Sequence, residues 1–224
     1  MTDSRFFGGA GLVLALVVFL GFSETFYLRS ADLGPVPTLF MVHGVIYSAW
    51  FLLFPVQVWL IAARRWRTHR AFGMGAMGLA VGMVVTGLMA GFDALERGVE
   101  IPGAGAAAFF FLSFSDAVGF AVLFAAALAA RRLGPWHKRL MLIASASVIL
   151  PAAVRMAGMI GFPEAGAGVQ LGLLGALGLY DIYRLGQPHM ATAIGGVFLG
   201  LKLLGVLSLA RTDAWAGFVA WLAG

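Results

Sequence analysis

The sequence predicts an all-α fold, namely a polytopic membrane bundle of seven transmembrane helices that forms a single domain over residues 1–224. Hydrophobic residues make up 61% of the chain and charged residues 11%, whereas soluble domains have about 45–50% and about 25%. Apolar runs long enough to cross a bilayer recur along the chain, and clusters of Lys and Arg separate them. A soluble domain of this size could not bury so much apolar surface, so we expect the chain to lie in a membrane.

The first three spans are predicted from apolar runs and the turn residues between them. The first covers residues 6–28 and is longer than the apolar core of a signal peptide. A loop rich in Gly and Pro, residues 30–37, leads to the second span at 38–63. Four arginines between residues 64 and 70 mark the end of this span, and the third span follows at 71–93.

The second half of the chain predicts four more spans. The fourth and fifth cover residues 106–130 and 140–162, joined by a short basic loop. A short, glycine-rich sixth span ends near Tyr183, and the seventh covers residues 190–210. A last short helix, residues 214–222, carries two tryptophans, which favour the interface between lipid and water.

The distribution of Lys and Arg predicts the orientation of the bundle. Ten of them fall on the side that holds the N-terminus, and only Arg29, Arg97 and Arg211 fall on the other. Basic loops stay in the cytoplasm, so we expect a multi-pass protein of the cell inner (cytoplasmic) membrane, with its N-terminus inside and its C-terminus outside. The ten are Arg5, Arg64, Arg65, Arg67, Arg70, Arg131, Arg132, Lys138, Arg139 and Arg184.

Charge and cysteine content exclude several functions. The net charge of +5 comes largely from basic residues at the membrane surface, so it indicates contact with the lipid bilayer and its anionic headgroups rather than with nucleic acid. The chain has no cysteine, which excludes iron–sulfur clusters, c-type haem and thiol catalysis. The pattern makes no prediction about the oligomeric state.

Polar side chains inside the predicted spans are the main candidates for function, because each one costs several kcal/mol in lipid unless it is paired or faces a cavity. With a rise of about 1.5 Å per residue, five spans place such groups in the outer half of the bilayer. We expect these side chains to line an outward-opening pocket that binds, senses or transports a small polar or anionic solute or protons. The candidates are Glu24, His43, Tyr47, Asp116, Arg155 and Lys202.

Asp116 and Arg155 are the expected centre of this pocket. They lie at similar distances before and after the tight loop that joins the fourth and fifth spans, so they should reach similar depths. Two alternatives stay open for the same residues. The charges could neutralise one another in a network that only fixes helix packing, or they could belong to a redox or catalytic centre.

A second set of candidates lies near the opposite membrane face. His69, His137 and His189 each stand at the start of a predicted span, and Asp181 lies near the same face. Three histidines and one aspartate are a possible ligand set for zinc or iron. No two of them have a spacing that would place both on one helix turn. We therefore expect the three histidines to be interfacial and not to share one metal.

The polar residues resemble a pattern found in a large group of uncharacterised bacterial multi-pass membrane proteins. Its motifs here are His69-Arg70-x-x-Gly73 and His137-Lys-Arg-Leu-Met141. The resemblance implies a multi-pass bundle from the second span onward and implies no particular activity. Lys202 stands where the resemblance leads us to expect Arg, which disfavours bidentate anion binding there. The other shared residues are His43, Trp50, Gln57, Asp116, Arg155, Tyr180, Asp181, His189, Thr212 and Trp215.

The same two histidine motifs are also similar to segments of haem-handling membrane proteins, such as cytochrome-b-type reductases and oxidase-assembly factors. This similarity implies an alternative function, a haem- or metal-dependent membrane oxidoreductase with haem b or a divalent metal as cofactor. A bis-imidazole haem needs two buried histidines on facing helices. Only His43 is predicted to lie well inside the hydrocarbon.

Overall fold

The computed structural model describes residues 3–100 and 105–223, and this part of the chain is a bundle of α-helices without β-strands. A single π-helical segment, Ser23–Tyr27, follows the first helix, and short 3-10 turns precede α2, α7 and α9. The predicted all-α fold class is therefore confirmed. The helices are α1 (Asp3–Gly21), α2 (Thr38–Ala62), α3 (Trp66–Glu96), α4 (Gly105–Ala129), α5 (Gly134–Ser147), α6 (Leu150–Gly158), α7 (Gly166–Leu185), α8 (Met190–Leu207) and α9 (Asp213–Ala223).

Six of the described helices (α1, α2, α3, α4, α7 and α8) are long and apolar enough to cross a membrane. The pair α5 and α6 passes the same test when both are taken together, which brings the number of spans to as many as seven. Large apolar side chains such as Leu12, Val81 and Val197 point away from the bundle and are exposed. Lipid is the solvent that accepts such a surface, so the chain is a multi-pass integral membrane protein.

The predicted fifth span is not one continuous helix. It consists of α5 and α6, whose axes differ in direction by 51°. Pro151 lies in the first turn of α6 and has no N–H to donate to the carbonyl of Ser147, four residues earlier. Proline is tolerated in the first turn of a helix but not in its interior, so the chain begins a new helix here. The prediction of a single fifth helix was wrong for this reason.

The broken span lies at the centre of the bundle. α5 packs against α1, α4, α7 and α8, and residues 142–150 are all buried. α6 packs against α1 and α7. The two serines of this otherwise apolar segment, Ser145 and Ser147, find hydrogen-bond partners in the protein, so they are stable away from both lipid and water.

Two glycines allow neighbouring helices to approach α5 and α6 closely. A Cβ on Gly21 of α1 would overlap the carbonyl group of Ala152 in α6. A Cβ on Gly195 of α8 would lie 2.5 Å from Cδ1 of Ile143 in α5. Small residues at helix contacts are a common way to pack spans in a bilayer.

The two ends of the bundle differ in charge. Asp3 at the start of α1 forms an ion pair with Lys138 near the start of α5 and accepts a hydrogen bond from Tyr180 near the end of α7. These helix ends therefore lie together with the arginine-rich loops at 63–65 and 130–133. We call this end the arginine-rich end and the opposite one the far end.

Candidate functional site

An ion pair between α4 and α8 lies at the centre of the bundle. The ammonium group of Lys202 forms a hydrogen-bonded ion pair with the carboxylate of Asp116, and it also donates to the backbone carbonyl of Ser147 at 2.5 Å. Asp116 and Lys202 are only 7% and 8% exposed. Asp116 lies close to the middle of α4, so the pair is near the middle of the membrane.

The break between α5 and α6 makes the carbonyl of Ser147 available to Lys202. In an uninterrupted helix the N–H of residue 151 would bond this carbonyl, but residue 151 is proline. The amide nitrogen of Gln170, on α7, donates to the carbonyl of Ala146 at 2.8 Å and more weakly to that of Ser147 at 3.3 Å. The C-terminal end of α5 carries partial negative charge, which favours the lysine ammonium.

Arg155 does not take the position predicted for it. Its guanidinium carbon lies 5.0 Å from the centroid of the Phe22 ring, and it forms no ion pair within residues 3–100 and 105–223. We expected Asp116 and Arg155 to pair directly or through water. In the described residues they form no direct ion pair, because Lys202 of α8 supplies the cation to Asp116 instead. Glu24 lies in the π-helical segment after α1, and its side chain is exposed.

His43 and Tyr47 of α2 form a stacked pair. Their ring centroids are 4.1 Å apart, with 24° between the ring planes. The hydroxyl of Tyr47 donates to the carbonyl of Met83 in α3 at 3.2 Å. Nδ1 of His43 is enclosed and has no hydrogen-bond partner in the described part of the chain. A Cβ position at Gly87 of α3 is close to both the Tyr47 hydroxyl and the Cβ of Ala117, the residue after Asp116, so the stacked pair lies near the ion pair.

Two cavities among the described residues lie away from this site. One of about 80 Å³ lies between α1 and α2, beside Phe19 and Tyr27. Another of about 330 Å³ lies between the end of α3 and α9, beside Phe92 and Val219. Neither is lined by any of the six candidate pocket residues.

The three histidines of the arginine-rich end have local partners for Nδ1. Nδ1 of His137 donates to the carbonyl of Ala127 at 2.9 Å. Nδ1 of His189 accepts from the backbone N–H of Ala191 at 3.1 Å. With its amide oriented to suit its neighbours, Gln57 donates to Nδ1 of His69 at 2.8 Å. Across the described residues, no group of three or more His, Cys, Asp or Glu side chains could hold a metal ion.

Sequence reasoning missed the buried partner of Asp181. Nε and Nη2 of Arg139 both donate to Oδ1 of Asp181, at 2.9 and 2.5 Å. Oδ2 accepts from Thr192 and from the backbone N–H of His189. Arg139 is only 2% exposed, although its position in a run of basic residues predicted an interfacial side chain. A tightly bonded carboxylate of this kind joins α5, α7 and α8 and has no free oxygen lone pairs to spare for a metal.

Ser147 and Gln170 were also missed as members of the central site. A proline four residues after Ser147 was the available signal, because that spacing frees one helix carbonyl. Gln170 gave no signal, since only tertiary packing brings α7 to the end of α5. Comparison of the chain with protein-family models, with curated proteins and with solved structures returned no match.

Proposed function

We propose that this protein lies in the cytoplasmic membrane, N-terminus inside, and binds and moves a small anionic solute together with a proton at Asp116 and Lys202. The observation that carries the proposal is the Lys202 ammonium shared between the Asp116 carboxylate and the carbonyl of Ser147, which has no helical N–H partner because residue 151 is proline. It lies where α5 and α6 are interrupted. The excess of Lys and Arg at one end supports the orientation.

A purely structural role accounts poorly for this ion pair. Buried ion pairs contribute little net stability compared with well-packed apolar residues, and a bilayer makes each charge more costly. Interrupted helices inside membrane proteins occur where the backbone lines a cavity or a ligand site. The buried ion pair and the interrupted helix meet at Ser147, and this combination favours a ligand-binding role.

The charges of the pair suggest how a proton and an anion are coupled. While Asp116 is ionised, the pair is neutral and Lys202 has its counter-ion. When Asp116 takes up a proton, Lys202 loses that counter-ion and a monovalent anion can replace it. One proton and one anion then bind together and the total charge of the site does not change. The expected movement is therefore electroneutral, with one proton per anion.

Proteoliposomes with a trapped pH indicator would test the proposal. Inward gradients of chloride, inorganic phosphate and pyruvate are applied in turn, and we expect at least one to acidify the interior. Asp116→Asn and Lys202→Met should each abolish this acidification. Asp93→Asn is the matched control, because Asp93 forms an exposed ion pair with Arg97 at the far end.

The proposal fails if folded Asp116→Asn and Lys202→Met proteins acidify the vesicles as fast as the wild type. A haem absorption band or stoichiometric metal in the same purified protein would instead favour the haem- or metal-dependent oxidoreductase.

A further inference from the structure

The Nδ1 atom of His43, near the Asp116–Lys202 ion pair, is a buried polar atom that the ion pair does not account for. It is enclosed by protein and lacks a hydrogen-bond partner in the part of the chain that the structure describes. Burying such an atom costs free energy, and unpartnered buried groups in native proteins often have a catalytic role or hold a water molecule or an ion. His43 as a whole is half-buried, five residues after the start of α2 at the far end.

Tyr47 extends from His43 towards α4. Its ring stacks on the imidazole, and its hydroxyl oxygen would lie 2.8 Å from a Cβ added to Gly87 of α3. The same Cβ position is 3.7 Å from the Cβ of Ala117, which is next to Asp116 in the chain. The missing side chain at Gly87 thus leaves the room in which the Tyr47 hydroxyl sits between α2, α3 and α4.

We propose that His43 and Tyr47 form the proton-entry branch of the central site. His43 accepts a proton at Nδ1 from the far end, and the Tyr47 hydroxyl stands between the imidazole and the carboxylate of Asp116. The imidazolium passes its Nδ1 proton to the Tyr47 oxygen, and the proton that Tyr47 had donated to the carbonyl of Met83 passes to the Asp116 carboxylate. His43 and Tyr47 are then neutral again, and Asp116 is protonated. This inference rests on the proposed function, because it supplies the proton that Asp116 takes up there.

The charges around the branch are consistent with transfer rather than storage of a proton. α3 presents the backbone of Thr86 to the imidazole, and none of the ion pairs of the described residues includes His43. Asp116 of α4 is next to Ala117, which lies beside the Gly87 position that the Tyr47 hydroxyl also approaches, and the partner of Asp116 is Lys202 of α8. His43 therefore has no carboxylate partner that would hold the proton on it permanently.

A pair of glycine variants on α3 tests the branch without removing any titratable group. Gly87→Ala places a methyl group against the Tyr47 hydroxyl, whereas Gly78→Ala meets no atom within 4 Å. Both replace a helical glycine by alanine, so their effects on helix propensity match. We expect Gly87→Ala to slow acidification in the proteoliposome assay by about tenfold or more and Gly78→Ala to leave it unchanged.

His43→Gln and Tyr47→Phe should slow acidification at least as much as Gly87→Ala does, since general acid–base groups contribute about a hundredfold or more when fully engaged. A cooperative thermal unfolding transition in detergent is the control that each variant is folded. The inference is overturned if His43→Gln, Tyr47→Phe and Gly87→Ala all retain the wild-type rate while Asp116→Asn abolishes it. If Asp116→Asn retains the wild-type rate as well, the proposed function fails.

Discussion

At the scale of single residues, the described part of the chain has a buried ion pair at the centre of the bundle, Asp116–Lys202, and another towards the arginine-rich end, Arg139–Asp181, and they differ in how completely they are bonded. Asp181 accepts bonds from Arg139, Thr192 and the backbone N–H of His189, so its carboxylate is fully engaged. Asp116 has Lys202 as its ion-pair partner. The second pair has more freedom to exchange its partner for a proton or a ligand.

A double-mutant cycle on Asp116 and Lys202 tests the ion pair. Asp116→Asn and Lys202→Met each leave one uncompensated charge in the membrane, which should cost about 3–5 kcal/mol of unfolding free energy. The double variant removes both charges and should be more stable than either single variant. Denaturant unfolding in detergent gives the three values, and additive losses would contradict a direct pair.

At the scale of elements, the interruption between α5 and α6 is the feature that makes the site. It leaves the carbonyl of Ser147 to Lys202 and that of Ala146 to Gln170. The N-cap of α8 is another place where a side chain satisfies a backbone group at a helix end. There Nδ1 of His189 accepts from the N–H of Ala191, which requires an unprotonated nitrogen.

Pro151→Ala restores the N–H that proline lacks, so a helical bond from residue 151 to the carbonyl of Ser147 becomes available. We expect this bond to compete with Lys202 for the carbonyl and to reduce the anion-driven acidification, with the fold intact. Pro55→Ala, in the interior of α2, is the matched control and should have a smaller effect. Equal rates for Pro151→Ala and the wild type would show that the free carbonyl has no functional role.

The N-cap formed by neutral His189 predicts that the folded protein loses stability in acid. Burial, and then the charge of Arg139, lower the pKa of His189 below its ordinary value of 6.5. A lowered pKa favours the neutral ring in the fold, so this stability is complete above the ordinary value and is lost as the pH falls through the folded value. His189→Asn keeps a good N-cap that does not titrate. We expect the unfolding temperature of the wild type to fall relative to that of His189→Asn below about pH 6.5. A constant difference over this range would contradict the cap.

At the scale of the whole molecule, the orientation remains a prediction from charge. Ten Lys and Arg at the arginine-rich end against three at the far end favour a cytoplasmic N-terminus, and seven spans then place the C-terminus outside. Alkaline phosphatase fused after Gly224 should be active and a fluorescent protein fused there should stay dark. The opposite result would contradict seven spans with the N-terminus inside.

The amino-acid sequence by itself determined the fold class and the position of most helices. Long apolar runs and basic loops are local signals, because a bilayer requires about 20 apolar residues per span whatever the neighbouring helices are. The sequence also identified Asp116, Lys202, His43 and Tyr47 as candidates, since any polar group inside a span is costly.

Only the tertiary structure decided which of these groups are partners. Depth along the helix axis suggested Arg155 for Asp116, but the rotation of each helix brings Lys202 to it. Rotation depends on side-chain packing between helices, such as the contact of Gly195 with Ile143, and hydropathy does not encode it. The same reason hid the burial of Arg139 and the role of Gln170, because a helix face is polar or apolar only relative to what packs against it.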